Sequence, residues 1–472
     1  MRLQVLERQR RRASRIALYG SLVLVAGFTW GAVSLLNAPL KARQGEQWMR
    51  RDYANLPEVK LLQEYVRIDT SEATGDELKG AEFLARQFAA AGIPYRIEKV
   101  GPKKANLYAW LVGKDSRPLV LHNHIDVSAA DPKEWFSPPF AARIELPWIY
   151  GRGVFDMKSV AIAQMRAMIA LKRSGKPLKR SVLFLATSSE ERGSRLGVRR
   201  ILQLHPEMVR NFWAVLTEGG VVEARSRDDI KFWGTEFAQK RYADLIVCDS
   251  DRERLEALRT TLKEIGPTET DLRLTPEVAT VLVGYGPTRD RKDLKALVAS
   301  PEVAMGDLKS FRELPAYIRS MLRNEAVPFR VEEAEGGGYE LLIKFQLLPG
   351  EDLETVREKL VPGWLTFGMT TLLDEPETAR SGSPLDHEVF QGIQETLSER
   401  YPDVPTGPYF LPWTATDARF FRVAGVPTYG FSPFLIMNTD TLQVDQANER
   451  FALPGFVEGV GVYEDLVRRL VL

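Results

Sequence analysis

Acidic and imidazole side chains stand at the ends of three apolar, strand-like segments of the chain. These segments read LVLHNHID, LFLATSSEE and AVLTEGG. The side chains at their ends are His124, Asp126, Glu190, Glu191 and Glu218. A further acid, Asp156, lies in GRGVFDMK, just before a predicted helix. One imidazole among several carboxylates is a ligand set that suits zinc and, less selectively, manganese or cobalt.

Carboxylates gathered in such numbers would repel each other unless cations neutralised them. This set of candidate ligands therefore favours a pair of metal ions bridged by one carboxylate. Because the chain has a single cysteine, Cys248, both an internal disulfide and a thiolate-rich zinc site are excluded. Any metal must be held by carboxylates and by the few imidazoles present. The four histidines are His122, His124, His205 and His387.

Taken alone, each of these motifs has an ordinary structural explanation. A His-x-Asp at a strand end is more often structural than catalytic, adjacent glutamates usually belong to a solvated loop, and Gly-Arg-Gly is a turn. Their order along the chain and their shared position at strand ends favour a functional site.

Strand-like and helix-like segments alternate through the first half of the chain and again near its end. This alternation predicts an α/β fold with a mostly parallel sheet. In open sheets of this kind ligands bind beyond the carboxyl ends of the strands, so residues far apart in sequence could converge there. Near residue 240 the pattern changes to that of a smaller α/β unit. We predict a main domain over 57–238 and 363–472, with an inserted unit over 239–362.

The N-terminus combines a basic cluster with an apolar stretch. Arginines crowd residues 1–15, and residues 16–36 are apolar over about the length that one helix needs to cross a bilayer. Because basic residues stay on the cytoplasmic side, we predict a single-pass transmembrane helix, a tether over 37–56 and a main domain on the extracytoplasmic side (periplasm, lumen or exterior). The alternative is a signal peptide cleaved within 38–42, although the apolar region of a signal peptide is usually shorter.

The overall composition excludes one class of partner. The chain has 472 residues, of which 27% are charged, and its formal net charge is +1. This balance lacks the basic excess that proteins use to bind nucleic acid. We therefore predict no nucleic-acid partner.

Residues 118–220 resemble the zinc-dependent M20 peptidases, especially the carboxypeptidase S and N-acyl-amino-acid hydrolase branch. The resemblance rests on LVLHNHIDV, DPKEWFSPPFAARI, YGRGVFDMK, SSEERG and LTEGG, which follow the order of the family. The later segments SPLDHEVF, TATDARFF and GVPTYGF match the end of the family. The resemblance implies a di-metal peptidase domain with an inserted lid, which in family members often pairs two chains into a homodimer.

The resemblance assigns metal ligands residue by residue. It implies two zinc ions, with His124 and Glu218 on the first, Glu191 on the second and Asp156 bridging both. Asp445, in LQVDQANERF, stands where the family has its remaining histidine ligand. An aspartate can bind zinc, but it is shorter than histidine and adds negative charge. The second ion, held only by oxygen, would bind more weakly or favour manganese.

The resemblance also assigns the groups that act on the substrate. Glu190 would be the general base, which takes a proton from water and returns it to the leaving amine. Asp126 would hydrogen-bond His124 and fix its tautomer. Arg419 would bind the free carboxylate of the substrate through a bidentate fork. The alternative is that Arg419 is a surface arginine of a helix.

The inserted unit departs from the family pattern. It has no histidine between residues 240 and 349, where the family has one that helps to polarise the scissile carbonyl. Gln346 stands where an arginine is expected. Lys240 and Arg241 are candidates to replace the missing groups.

Two functions remain open from the sequence. The first is a membrane-anchored metallopeptidase or amidohydrolase that cleaves an amide bond next to a free carboxylate, in a peptide (as a carboxypeptidase) or an N-acyl amino acid. The second is a catalytically impaired, membrane-tethered binding protein of the same fold, which Asp445 and the missing histidine favour. The complete motif set of the first half, including Glu190, favours the enzyme.

Overall fold

A computed structural model describes residues 52–72, 74–226, 229–264, 272–285, 316–334, 337–360, 367–374 and 382–472. The predicted basic segment, the apolar stretch 16–36 and all but the last few residues of the predicted tether lie outside these ranges. Within the described ranges, no helix is both long and apolar enough to cross a membrane.

The described chain contains one large sheet and two smaller ones. In the large sheet the strand order is β1-β2-β6-β3-β7-β15-β9-β14, with β8 paired to β9. The strands are β1 Tyr95–Gly101, β2 Lys104–Leu111, β3 Asp115–His124, β4 Arg143–Glu145, β5 Trp148–Tyr150, β6 Arg180–Thr187, β7 Ala214–Thr217, β8 Val221–Ser226, β9 Asp229–Gln239, β10 Arg241–Asp249, β11 Glu325–Glu333, β12 Tyr339–Leu347, β13 Gly368–Asp374, β14 Thr406–Leu411, β15 Thr428–Gly430 and β16 Arg450–Ala452.

The large sheet is parallel at its centre and mixed towards its edges. Strands β6, β3, β7 and β15 pair in parallel, as do β9 and β14. The pairs β1–β2, β2–β6, β15–β9 and β8–β9 are antiparallel. The α/β class is confirmed, but the prediction of a mostly parallel sheet holds only for part of the sheet. Short connections such as the one from β1 to β2 can only join antiparallel neighbours.

Helices cover both faces of the large sheet. The described helices are α1 Pro57–Val66, α2 Glu77–Ala90, α3 Ser159–Ser174, α4 Val198–Leu204, α5 Pro206–Arg210, α6 Arg252–Glu264, α7 Pro276–Tyr285, α8 Ala316–Met321, α9 Leu353–Leu360, α10 Glu388–Arg400, α11 Ala418–Val423, α12 Asn438–Thr441 and α13 Leu453–Val471. Side chains alternate along a strand, so Asn123 of β3 faces α3, where it bonds Gln164. Val120 and His122 face the opposite layer, which includes α4, α5 and α11.

The longest described helix, α13, shows why these helices pack on the sheet. Its buried residues Phe456, Val460, Tyr463, Val467 and Leu470 recur every three or four positions and form one apolar face. The helix packs against α3, and the Tyr463 hydroxyl accepts a hydrogen bond from Gln164 of that helix. α3 ends at Ser174 and is followed by Gly175, whose φ of 64° is the left-handed conformation that commonly terminates helices.

Residues 241–374 contribute a separate antiparallel sheet of order β11-β12-β10-β13. Helices α6 and α9 bury Leu255, Leu258 and Val356 against apolar residues of its strands. Strand β13 lies beyond the predicted boundary of the inserted unit at residue 362. The role of this unit as a lid stays a prediction.

The third sheet, of order β16-β5-β4, joins two distant parts of the chain. Phe451 pairs with Ile149, and Arg450 pairs with Tyr150. The pairing places the residues just before β16 beside the segment that follows β5. Asp445 and Asp156 lie in these two segments.

Candidate metal centre

The candidate site residues lie at the carboxyl ends of the central parallel strands, along one edge of the large sheet. Strand β3 ends at His124, β7 is followed by Glu218, and β6 is followed by a short 3-10 turn over Glu190–Arg192. Because β6, β3 and β7 are parallel neighbours, their carboxyl ends lie side by side. The convergence expected from the sequence is therefore present.

The first group of candidate ligands surrounds His124. Its Nε2 atom lies 3.1 Å from Asp156 Oδ1 and 3.5 Å from Glu218 Oε2. One ligand atom from each of the three side chains lies within 4.8 Å of the others. We call this group the histidine half-site.

A second group of candidate ligands contains carboxylates only. Asp156, Glu191 and Asp445 each place an oxygen within 4.8 Å of the other two. We call this group the carboxylate half-site. Asp156 belongs to both half-sites, which is the arrangement that a bridging carboxylate requires.

The backbone of Asp126, rather than its side chain, orients His124. The His124 Nδ1 atom lies 2.8 Å from the main-chain carbonyl oxygen of Asp126, so Nδ1–H donates and Nε2 is left to face the acids. The carboxylate of Asp126 is farther away, with Oδ1 3.7 Å from Nδ1. The predicted hydrogen bond from the Asp126 side chain to His124 is therefore wrong.

The carboxylate of Asp126 instead holds the turn that carries both glutamates. Its two oxygens accept the main-chain N–H groups of Glu190 and Glu191, each at 3.0 Å. Ser189 before this turn and Gly193 after it have φ angles of 64° and 75°. Because left-handed backbone at a serine is unfavourable, the turn depends on such anchoring.

The electrostatics of the group fit a pair of cations. Burial raises the pKa of Glu191 to about 9 and that of Glu218 to about 8, and the charge of Asp156 adds to both shifts. Burial would lower the pKa of His124, but Glu218 and Asp156 raise it well above its usual value. Without cations these groups would hold protons near neutral pH, and metal ions would displace them. Among the residues that the structure describes, the buried Oε1 atom of Glu191 has no hydrogen-bond partner. These residues fit a metal pair.

Glu190 and Arg419 lie together beside this group. Burial, and next the charge of Asp417, raise the pKa of Glu190 well above its usual value. The Arg419 side chain is only 10% exposed, and its Nη1 atom lies 3.7 Å from Glu190 Oε1. Arg419 also donates to the Thr416 carbonyl at 2.7 Å. The alternative of a surface arginine is therefore wrong.

Three residues that the sequence did not single out support Asp445. Arg152 donates to the main-chain oxygen of Asp445 at 3.0 Å and to its Oδ1 at 3.4 Å, and is itself held by Glu449 at 2.8 Å. Ser128 donates to Glu191 Oε2 at 2.8 Å, and its side chain also hydrogen-bonds Asp445. Arg152 lies in the motif YGRGVFDMK and Glu449 lies in LQVDQANERF. Both motifs supplied predicted ligands, but neither Arg152 nor Glu449 had a predicted role.

The remaining histidines lie outside both half-sites. His122 is buried, with its ring nitrogens 2.8 Å from Thr217 Oγ1 and 3.0 Å from Thr187 Oγ1. His387 caps α10 by accepting the N–H of Val389 at 3.2 Å. His205 is exposed between α4 and α5.

The candidate replacements in the inserted unit also have partners. Lys240 is buried, and its Nζ donates to Glu325 at 2.8 Å. Arg241 donates to the Glu351 carbonyl at 2.9 Å. Gln346 donates to the Trp413 carbonyl at 3.3 Å. None of these contacts supports a role for Lys240 or Arg241 at the metal centre.

Comparison with known proteins identifies the class. The model of peptidase family M20/M25/M40 matches residues 120–469, which is most of the chain. The chain therefore belongs to this family, and the sequence-based assignment to an M20 metallopeptidase or amidohydrolase is confirmed. Enzymes of the family depend on metal ions, in keeping with the two half-sites.

Individual relatives cover nearly the whole chain. Aminoacylase-1A of Rattus norvegicus is 25% identical over 427 residues, covering 88% of this chain and 95% of the relative. The structure of human carnosine dipeptidase 1 superposes with a TM-score of 0.66 at 13% identity, over 88% of this chain and 95% of that one. An M20 family metallo-carboxypeptidase from Sulfolobus solfataricus has the same TM-score at 17% identity, over 88% and 99%. These two structures establish the fold.

Proposed function

We propose that the protein hydrolyses an amide bond next to a free carboxylate, in an N-acyl amino acid or a peptide. The observation that carries this proposal is the sharing of Asp156 between the two half-sites, with Glu190 beside them. Relatives named aminoacylase and structures named dipeptidase or carboxypeptidase support this class of substrate.

Each residue has a part in the proposed reaction. Divalent cations held by the two half-sites would acidify water and polarise the scissile carbonyl. Glu190 takes the proton of the attacking water and transfers it to the nitrogen of the leaving amine as the C–N bond breaks. Burial and the charge of Asp417 raise the pKa of Glu190, which makes its carboxylate a stronger base towards that water. Arg419 binds the substrate carboxylate, and the turn anchored by Asp126 keeps Glu190 in place.

The decisive experiment compares Glu190→Gln with the wild type on a panel of N-acyl amino acids and dipeptides. We expect hydrolysis to fall by at least about 1,000-fold while metal content, measured by elemental analysis, stays unchanged. The matched control is Glu134→Gln, because Glu134 is an exposed glutamate outside both half-sites. A metal-loaded wild type without turnover on any substrate would instead support the binding protein of the same fold.

The proposal includes a place for the enzyme in the cell. The basic segment 1–15 and the apolar stretch 16–36 support anchoring to a membrane with the enzyme on the extracytoplasmic side. We expect the full chain to stay with membranes in high salt and alkaline carbonate, and a variant lacking residues 1–36 to be released. Protease should reach the enzyme only from the extracytoplasmic side. The homodimer stays a prediction, which light scattering of the purified protein would test.

A further inference from the structure

We propose that the two half-sites take different metals: zinc in the histidine half-site and a hard, oxygen-preferring cation, Mn²⁺ or Mg²⁺, in the carboxylate half-site. This inference rests on the metal-dependent function proposed above and assigns an ion class to each half of the centre. It follows from the donor atoms available to each half-site and from two residues that hold Asp445.

The carboxylate half-site can obtain no nitrogen or sulfur ligand from the residues that the structure describes. Its three members, Asp156, Glu191 and Asp445, offer only oxygen. All four histidines of the chain lie in the described ranges, and only His124 joins a candidate metal group. The single cysteine, Cys248, lies on β10 in the second sheet. Sites built from oxygen alone suit magnesium, calcium and manganese, whereas imidazole suits zinc.

Ser128 orients two of the carboxylates of this half-site. Its hydroxyl lies 2.8 Å from Glu191 Oε2 and also hydrogen-bonds the side chain of Asp445. The hydroxyl therefore lies between two of the three carboxylates. Hard cations bind six or more oxygens and retain water, and the 37% exposure of the Asp445 side chain leaves room for water.

Arg152 fixes the position of Asp445 and shares its charge. Asp445 has a φ of 59°, a left-handed conformation that the Arg152 hydrogen bond to its main-chain oxygen stabilises. The same guanidinium lies 3.4 Å from Asp445 Oδ1. Because part of the carboxylate charge is directed towards Arg152, a cation at this half-site is held less tightly than one beside His124. Arg152 is thus a positioning residue for the second cation.

The histidine half-site has the opposite character. The tautomer of His124 is fixed by the Asp126 carbonyl, so Nε2 offers a lone pair beside two carboxylates. One imidazole and two carboxylates give zinc three ligands of the types that it binds and leave a fourth position for water or substrate. The donor atoms of each half-site therefore select its ion, zinc beside His124 and the harder cation among the carboxylates.

The test measures metal content without substrate. Because zinc binds most sites more tightly than manganese at equal concentration, metal-stripped protein is equilibrated with two equivalents of Zn²⁺ and millimolar Mn²⁺ or Mg²⁺. It is then desalted rapidly and analysed by elemental analysis, and bound Mn²⁺ is examined by electron paramagnetic resonance. We expect one zinc and one hard cation for each chain, with a six-coordinate manganese spectrum. Two zinc ions for each chain would overturn the inference, and so would one zinc with no second cation at millimolar Mn²⁺.

Variants connect this result to particular residues. Asp445→His should convert the protein to two zinc ions, whereas Gln446→His, at an exposed neighbour on the same loop, should keep the mixed content. Ser128→Ala should weaken Mn²⁺ binding about tenfold and leave zinc binding unchanged. Equal loss of both metals in Ser128→Ala, or a mixed content in Asp445→His, would contradict the assignment. A mixed-metal protein without hydrolysis would overturn only the proposed function, and an active protein with two zinc ions would overturn only this inference.

Discussion

The guanidinium of Arg419 lies against the carboxylate of Glu190, with 3.7 Å between Nη1 and Oε1. The proposed general base and the proposed carboxylate-binding group are therefore neighbours. A substrate carboxylate that pairs with Arg419 would be delivered next to Glu190. This relationship makes the contribution of Arg419 to substrate choice measurable.

Replacing Arg419 with methionine should weaken the use of substrates that have a free carboxylate. We expect kcat/KM to fall by about 30-fold, since a hydrogen bond to a charged group contributes about 2 kcal/mol. Steady-state kinetics with an N-acyl amino acid and its carboxamide analogue would measure the effect. The wild type and the Arg419→Met variant should hydrolyse the carboxamide analogue with the same low kcat/KM. A similar loss on both substrates would show that Arg419 serves Glu190 rather than the substrate carboxylate.

Replacing Asp126 with asparagine should disturb the turn that carries Glu190 and Glu191. An amide has one acceptor oxygen, so one of the two N–H groups now bound at 3.0 Å would lose its partner. We expect a stability loss of about 1–3 kcal/mol in denaturant unfolding, together with a lower kcat. Asp131→Asn is the control, because the exposed Asp131 accepts a single N–H. Unchanged kcat and stability would show that the turn holds without Asp126.

The buried Lys240 should make stability depend on alkaline pH. Burial lowers its pKa to about 8 although Glu325 acts to raise it, whereas the unfolded chain has the ordinary value of 10.5. Between these values the unfolded chain binds more protons, so the free energy of unfolding should increase with pH by up to about 3 kcal/mol. Urea unfolding of the wild type and of Lys240→Met from pH 8 to 10.5 would isolate this increase. Parallel curves for the two proteins would exclude it.

Breaking the buried ion pair between Arg422 and Glu236 should strongly destabilise the folded protein. Two hydrogen bonds of 2.7 and 2.8 Å join them, and Glu236 also accepts the N–H of Gly430 at 3.0 Å. Arg422→Met would leave a buried charge unpaired and should cost about 3–5 kcal/mol in denaturant unfolding. The double variant Arg422→Met/Glu236→Gln should lose less stability than Arg422→Met alone. A double variant as unstable as the single one would show that packing, not charge, dominates there.

The sequence predicted the parts of the centre that strands determine. His124, Glu191 and Glu218 follow buried strands, and parallel neighbours necessarily end at the same edge, so their convergence could be inferred from pattern alone. Arg419 was placed by resemblance, and its alternative could be rejected only from its burial.

Other parts depend on backbone detail that residue types do not encode. Asp126 was expected to contact His124 with its side chain, but the direction of the chain after β3 brings the carbonyl there instead. Arg152 follows β5 and reaches Asp445 because β5 pairs with β16. Ser128 lies in the loop after β3, where its contact with Glu191 depends on the course of that loop. The antiparallel edges of the large sheet likewise depend on which strands become neighbours, and apolar periodicity does not determine this.

Asp445 differs from His124 and Glu218 in the type of secondary structure that positions it. His124 and Glu218 end or follow strands in the middle of a buried sheet, whereas Asp445 lies in the irregular segment between α12 and β16. Exchange of that short segment among relatives would leave the sheet untouched while it alters the inorganic chemistry of the enzyme.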